Sequence, residues 1–198
     1  MEVELLSRAL SRFGTDLHAR RIVFRLHVWL SDEWFCPDGV PGFAIPFYLA
    51  YPRLRRLKRK QMLEVEGRTL RSSLRLFRHE TGHAIDDAFG LRDRRKRREI
   101  FGSPKVPYPE FYAPEPFSRR FLRHLEFGYA QTHPDEDFAE TVAVWLDPKS
   151  RWQARYSGWP ALGKLRYMER LMRELAGKAP RTRNRRKLGR LSTRTGWF

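Results

Sequence analysis

The 198-residue chain is 41% hydrophobic, with 14 Phe, 7 Tyr and 6 Trp, enough for a sizeable core, which excludes a wholly disordered chain. It carries 40 Lys and Arg against 23 Asp and Glu, a net +17 that first suggests a polyanionic partner. No run approaches the ~18 apolar residues of a membrane span, the first residues do not read as a secretory leader, and the lone Cys36 excludes an internal disulfide or a zinc site of several thiolates; a reducing, cytoplasmic setting is expected.

In chain order, residues 2–13 space Val3, Leu6, Leu10 and Phe13 as a helix, with Gly14 as its stop. Residues 21–30 (RIVFRLHVWL) read as a strand and DEWFCPDGVPG as a loop. GFAIPFYLAY reads as an edge or bulged strand, because Pro46 cannot donate to a ladder. Arg53–Lys60 reads as a short basic helix, and 62–67 (MLEVEG) as a short strand. Residues 69–89 form the clearest helix, stopped by Gly90. Residues 91–117, with their prolines, read as irregular, and helices are expected to resume at 118–127, 135–146 and 160–176. The pattern predicts a helix-rich α+β domain with a small sheet over 1–176, followed by a flexible tail at 177–198. That tail holds eight basic and no acidic residues. The other 176 residues, with 32 basic and 23 acidic side chains, carry +9.

The chemistry is concentrated in His79-Glu80-Thr81-Gly82-His83, an HExxH sequence inside the best helix. Residues four apart share a helix face, so both imidazoles can bind one zinc ion, with Glu80 beside them to take a proton from water. A catalytic zinc needs a third protein ligand. Asp87 lies about 12 Å along the axis from His79, too far to complete the set; Asp86 or Asp87 could instead hold a histidine ring, or could simply end the helix. The better source is His133-Pro134-Asp135-Glu136-Asp137-Phe138-Ala139-Glu140, which opens another helix. Glu136 and Glu140 share one face, so one can bind metal while the other hydrogen-bonds a ligating histidine. His133 reads as capping or lining that helix entry, His124 as a helix-surface histidine, and Cys36 as a buried or half-buried small residue.

HETGHAIDD followed by HPDEDFAETVAVWL resembles the zinc-binding metallopeptidases of an uncharacterised bacterial zincin family, from about Ser31 to about Glu174. The same pair of motifs is similar to the catalytic domain of anthrax lethal factor, a gluzincin. The resemblance implies a zincin-like fold around an HExxH helix and hydrolysis of a peptide or protein substrate. It implies Zn2+ held by His79, His83 and Glu136, with Glu80 as general base and Glu140 behind a ligand. It also implies that Tyr129, seven residues before Glu136, stabilises the oxyanion. Asp137 departs from the relative's pattern, and the Pro-rich connection keeps the carry-over to the metal site. Many zincins add an extended substrate to an edge strand; GFAIPFYL and MLEVEG are the candidates here.

A second reading makes the chain a basic binding module with a structural zinc, its 178–198 tail holding nucleic acid mainly through phosphates. The bland reading of the same charge is a solvated surface.

Overall fold

The computed structural model describes residues 4–22, 26–62 and 65–187. Helix α1 (Glu4–Ala19) is followed by strands β1 (His27–Ser31) and β2 (Gly42–Pro46), then by helices α2 (Pro52–Met62) and α3 (Leu70–Phe89). Helices α4 (Arg95–Phe101), α5 (Pro134–Leu146), α6 (Trp152–Arg155) and α7 (Leu162–Leu175) complete the described elements, with single 3₁₀ turns between them. The chain is thus a helix-rich domain with a two-stranded parallel sheet. One apolar cluster runs from Leu6 on α1 to Leu175 on α7, and among the described residues no helix is long and apolar enough to cross a membrane.

Helices α3 and α5 form the centre, and the sequence explains both ends of α3. The Thr69 side chain accepts from the Ser72 amide while the Ser72 hydroxyl accepts from the Thr69 amide, a reciprocal cap. At the other end Gly90 takes the left-handed conformation (φ 60°), which lets its amide reach the last carbonyls. Helix α5 starts on Pro134, whose missing N–H costs nothing there, and its first turn carries Asp135, Glu136 and Asp137 where the helix dipole favours acids. The two helices touch at Gly82: a Cβ there would stand 2.6 Å from Ala139 Cα. Such an approach admits only glycine, and it brings the HExxH face against the Glu136–Glu140 face.

Several expectations are corrected. Helix α1 does not stop at Gly14 but continues to Ala19. Leu17 prolongs the apolar stripe and the buried Asp16 pairs with Arg78 at 2.7 Å, which outweighs the roughly 1 kcal/mol cost of an interior glycine. Within 91–117, Arg95–Phe101 is helical, with Arg97 and Phe101 one turn apart on its buried side. Residues 118–127 are not helical, because side chains replace the helical hydrogen bonds. The amides of His124 and Leu125 donate to Glu140, and that of Arg123 to the Tyr156 hydroxyl. Val65–Gly67 is a turn rather than a strand, and residues 63–64 lie outside the described part. The strand expected at 21–30 is observed only as β1, with residues 23–25 likewise outside. Pro160 precedes α7 rather than opening it.

Strand β2 is an edge, as either strand of a two-stranded sheet must be. It pairs with β1 from His27–Gly42 to Ser31–Pro46, and its Ala44 bridges Phe35 on the other side. On that outer flank the Ala44 amide is already taken by Phe35 O, at 2.8 Å. The tail, described as far as residue 187, folds back on the domain. The Arg181 amide donates to Ala88 O at 2.7 Å, and Asn184 Nδ2 donates to Gly39 O at 3.3 Å.

Candidate metal centre

One turn of α3 points His79 and His83 toward the N-terminal turn of α5, and there they meet Glu136. His79 Nε2 lies 3.0 Å from Glu136 Oε2, His83 Nε2 lies 3.3 Å from the same oxygen, and the two nitrogens are 3.3 Å apart. All three residues are buried. Four ligands arranged tetrahedrally about 2.0–2.1 Å from zinc stand roughly 3.3–3.4 Å from one another, so this triangle has the edge lengths of one face of such a site.

The surroundings decide which atoms face the centre. Glu140, buried behind α3, takes the other ring nitrogen: His79 Nδ1 donates to Glu140 Oε1 at 3.0 Å. The second oxygen of Glu140 accepts the amides of His124 (3.0 Å) and Leu125 (2.8 Å). Burial disfavours the charged Glu140 carboxylate, but the bond from His79 and the amides overcome it and hold its pKa below the usual value. With its proton on Nδ1, the neutral His79 ring presents a lone pair at Nε2. Glu136 Oε2 is buried with no well-formed donor of its own. Acceptors facing one another need a cation or a proton between them. In the metal-free protein a proton fills that need: burial opposes a charged His79, yet the bonds to Glu136 and Glu140 raise it to about 10. Glu136 is driven well below the usual carboxylate range, since the charges and hydrogen bonds of both histidines outweigh its burial.

Tyr108, in the irregular Pro-rich stretch, completes the surroundings of Glu136. Its hydroxyl donates to Glu136 Oε1 at 2.8 Å, leaving Oε2 to face the histidines. Its ring stacks on His133, with centroids 3.9 Å apart and planes 11° apart. His133 caps α5 by accepting the Asp135 amide through Nδ1 and donates from Nε2 to Val106 O at 2.8 Å. The Pro-rich 104–108 segment is thereby fastened to the start of α5. Burial beside the Glu136 charge keeps the Tyr108 phenol protonated.

The group opens into a cleft of about 710 Å³, walled by Trp34–Cys36 on one side and Pro104–Tyr108 on the other. Glu80 lines it, and burial pushes the Glu80 carboxyl up, opposed by the charges of His79 and His83. Tyr129 also lines it, partly exposed, its ring centroid 5.5 Å from that of His79. Burial, then the charges of Glu136 and Glu80, keep its phenol protonated.

The remaining candidates fall elsewhere. Asp87 is brought to Arg92 (3.4 Å) and lies 3.9 Å from the Cys36 thiol, not to either histidine of the motif. Asp86 shares the fully buried Arg97 with Asp135, at 2.6 and 2.5 Å, a bridge that ties α3, α4 and α5 together. His124 is not a helix-surface residue: it is buried, and its Nε2 bonds Arg75 O at 2.9 Å. The Cys36 thiol donates to Gly42 O at 3.0 Å, and burial, with the charges of Asp87 and Glu80, raises its pKa, so it stays a protonated wall residue.

Comparison with known proteins gives one family. Its model, described as a putative zinc-binding metallo-peptidase, matches residues 49–156, a span that includes α3, the 104–108 wall and α5. The chain matches no curated protein and no solved structure. More than half the chain falls within that match, as do all three residues of the buried His–His–Glu group, and the chain belongs to the putative zinc-binding metallo-peptidase family.

Proposed function

We propose that the chain is a zinc-dependent peptidase whose metal is held by His79, His83 and Glu136. The observation that carries this is the triangle of buried acceptor atoms, 3.0–3.3 Å on each side. A zinc ion bound there lowers the pKa of water toward neutrality and polarises a peptide carbonyl.

The chain's own groups do the rest. Glu80 accepts a proton from the attacking water and passes it to the departing amine, a task suited to a carboxylate whose pKa burial has raised. Tyr129, kept protonated, donates its hydroxyl hydrogen to the carbonyl oxygen as negative charge develops. Glu140 fixes the His79 tautomer, and Tyr108 fixes which Glu136 oxygen faces the centre.

Metal analysis of protein purified without added zinc tests the ligand set. About one zinc per chain is expected in the wild type, with loss of that zinc in Glu136→Ala. A wild type without zinc, or a variant that retains it fully, contradicts the assignment.

A further inference from the structure

Behind the metal centre lies a second concavity that peptide hydrolysis does not use. It has a volume of about 1500 Å³ and is bounded by α1 from Ser7 to Thr15, by α3 from Leu70 to Arg78, and by segments 123–125 and 147–155. Eight of its lining side chains are arginine or lysine, against one carboxylate, Asp147. Arg78 is neutralised by Asp16 at 2.7 Å and Asp147 at 3.6 Å. Arg12 and Arg75 also reach carboxylates, Asp16 at 4.0 Å and Glu126 at 3.5 Å, whereas Arg123 and Arg155 donate to the carbonyl oxygens of Pro116 and Arg123, and Arg71 and Lys149 stand exposed at the rim. Between these cations lie the half-buried Leu70, Leu74 and Leu125.

We propose that this groove docks an acidic protein segment, one whose carboxylates flank an aliphatic or aromatic side chain. Guanidinium groups pair with carboxylates in planar forks, and a ring of such charges around an apolar floor suits a ligand with both features. A nucleic acid uses only half of the surface. The lining has no Phe, Tyr or Trp on which bases could stack, and a phosphate backbone gains nothing from the leucines. The site is independent of bound zinc, although segment 123–125 also supplies the amides that hold Glu140.

The test is fluorescence anisotropy with the full chain and a labelled Glu- and Leu-containing peptide at about 0.1 M salt, where surface charges further than ~10 Å apart are screened. Saturable binding is expected, absent for the Lys and Leu counterpart. Arg71→Glu with Lys149→Glu should weaken it about tenfold or more, as charge reversal at an electrostatic rim does. Arg56→Glu with Arg59→Glu on α2 makes the same change in net charge away from the groove and should shift affinity by less than about twofold. Circular dichroism of both variants establishes that they fold. Absent binding, or equal losses in the two double variants, overturns the proposal. Stronger competition by duplex DNA, itself lost in the groove variant, assigns the groove to nucleic acid instead.

Discussion

Glu136 presents its two oxygens to different neighbours, one to the Tyr108 hydroxyl and one to the paired histidines, and Glu140 does the same for His79 and two backbone amides. These outer contacts set geometry without touching a metal, so their removal should loosen metal rather than unfold the chain. Tyr108→Phe keeps the ring stacked on His133 and loses only the hydrogen bond; Glu140→Gln loses the charge that holds the His79 proton. Each is expected to weaken zinc binding about 10–100-fold in a chelator competition, with an unchanged far-ultraviolet spectrum. The histidines and both glutamates were legible because each pair repeats every fourth residue on a helix, a spacing that fixes a common face. Tyr108 was not. It reaches Glu136 from 28 residues upstream through an irregular Pro-rich stretch, where no periodicity tells which side chain turns inward.

The packing of α3 on α5 places these residues, and its tightest point is a single missing side chain. Gly82 stands in the variable part of the HExxH motif, yet its hydrogen faces Ala139 Cα at a distance that a methyl group cannot share. Gly82→Ala should force the helices apart, lowering stability by about 1–3 kcal/mol in chemical unfolding and lowering zinc affinity with it. Helix α3 could be read from the sequence because its apolar spacing and terminal glycine agree. Residues 118–127 misled because their helical pattern is real but loses to tertiary partners: the Glu140 carboxylate and the Tyr156 hydroxyl satisfy amides that a helix would have used. Helix α4 hid behind its charge, since its buried side includes an arginine, and only the carboxylates of Asp86 and Asp135 make that burial tolerable.

Across the whole molecule, the +17 charge that opens the sequence says little about the candidate metal centre, which is built from the acidic and histidine minority. The tail that carries much of it is described only to residue 187, where it lies along the end of α3 and the Gly39 turn. The same region contains a titrating group. Burial, only partly offset by Arg92, raises Asp87 to about 6. The folded protein therefore keeps a proton that the unfolded chain releases near pH 4, a contribution present at low pH and lost as pH rises through about 6. Asp87→Asn cannot titrate, so in metal-free protein its thermal midpoint should gain on the wild type between pH 4 and pH 7. The gain is worth at most about 3 kcal/mol, from a shift of roughly two pKa units. The central claim, peptide-bond hydrolysis at the His79–His83–Glu136 centre, is tested most directly by exposing a diverse peptide pool to the zinc-loaded wild type and to Glu80→Gln. Cleavage by the wild type that chelation abolishes and Glu80→Gln lowers by at least about a hundredfold, with zinc still bound, is the predicted result. No cleavage by the zinc-loaded wild type, or equal cleavage by the variant, would contradict it.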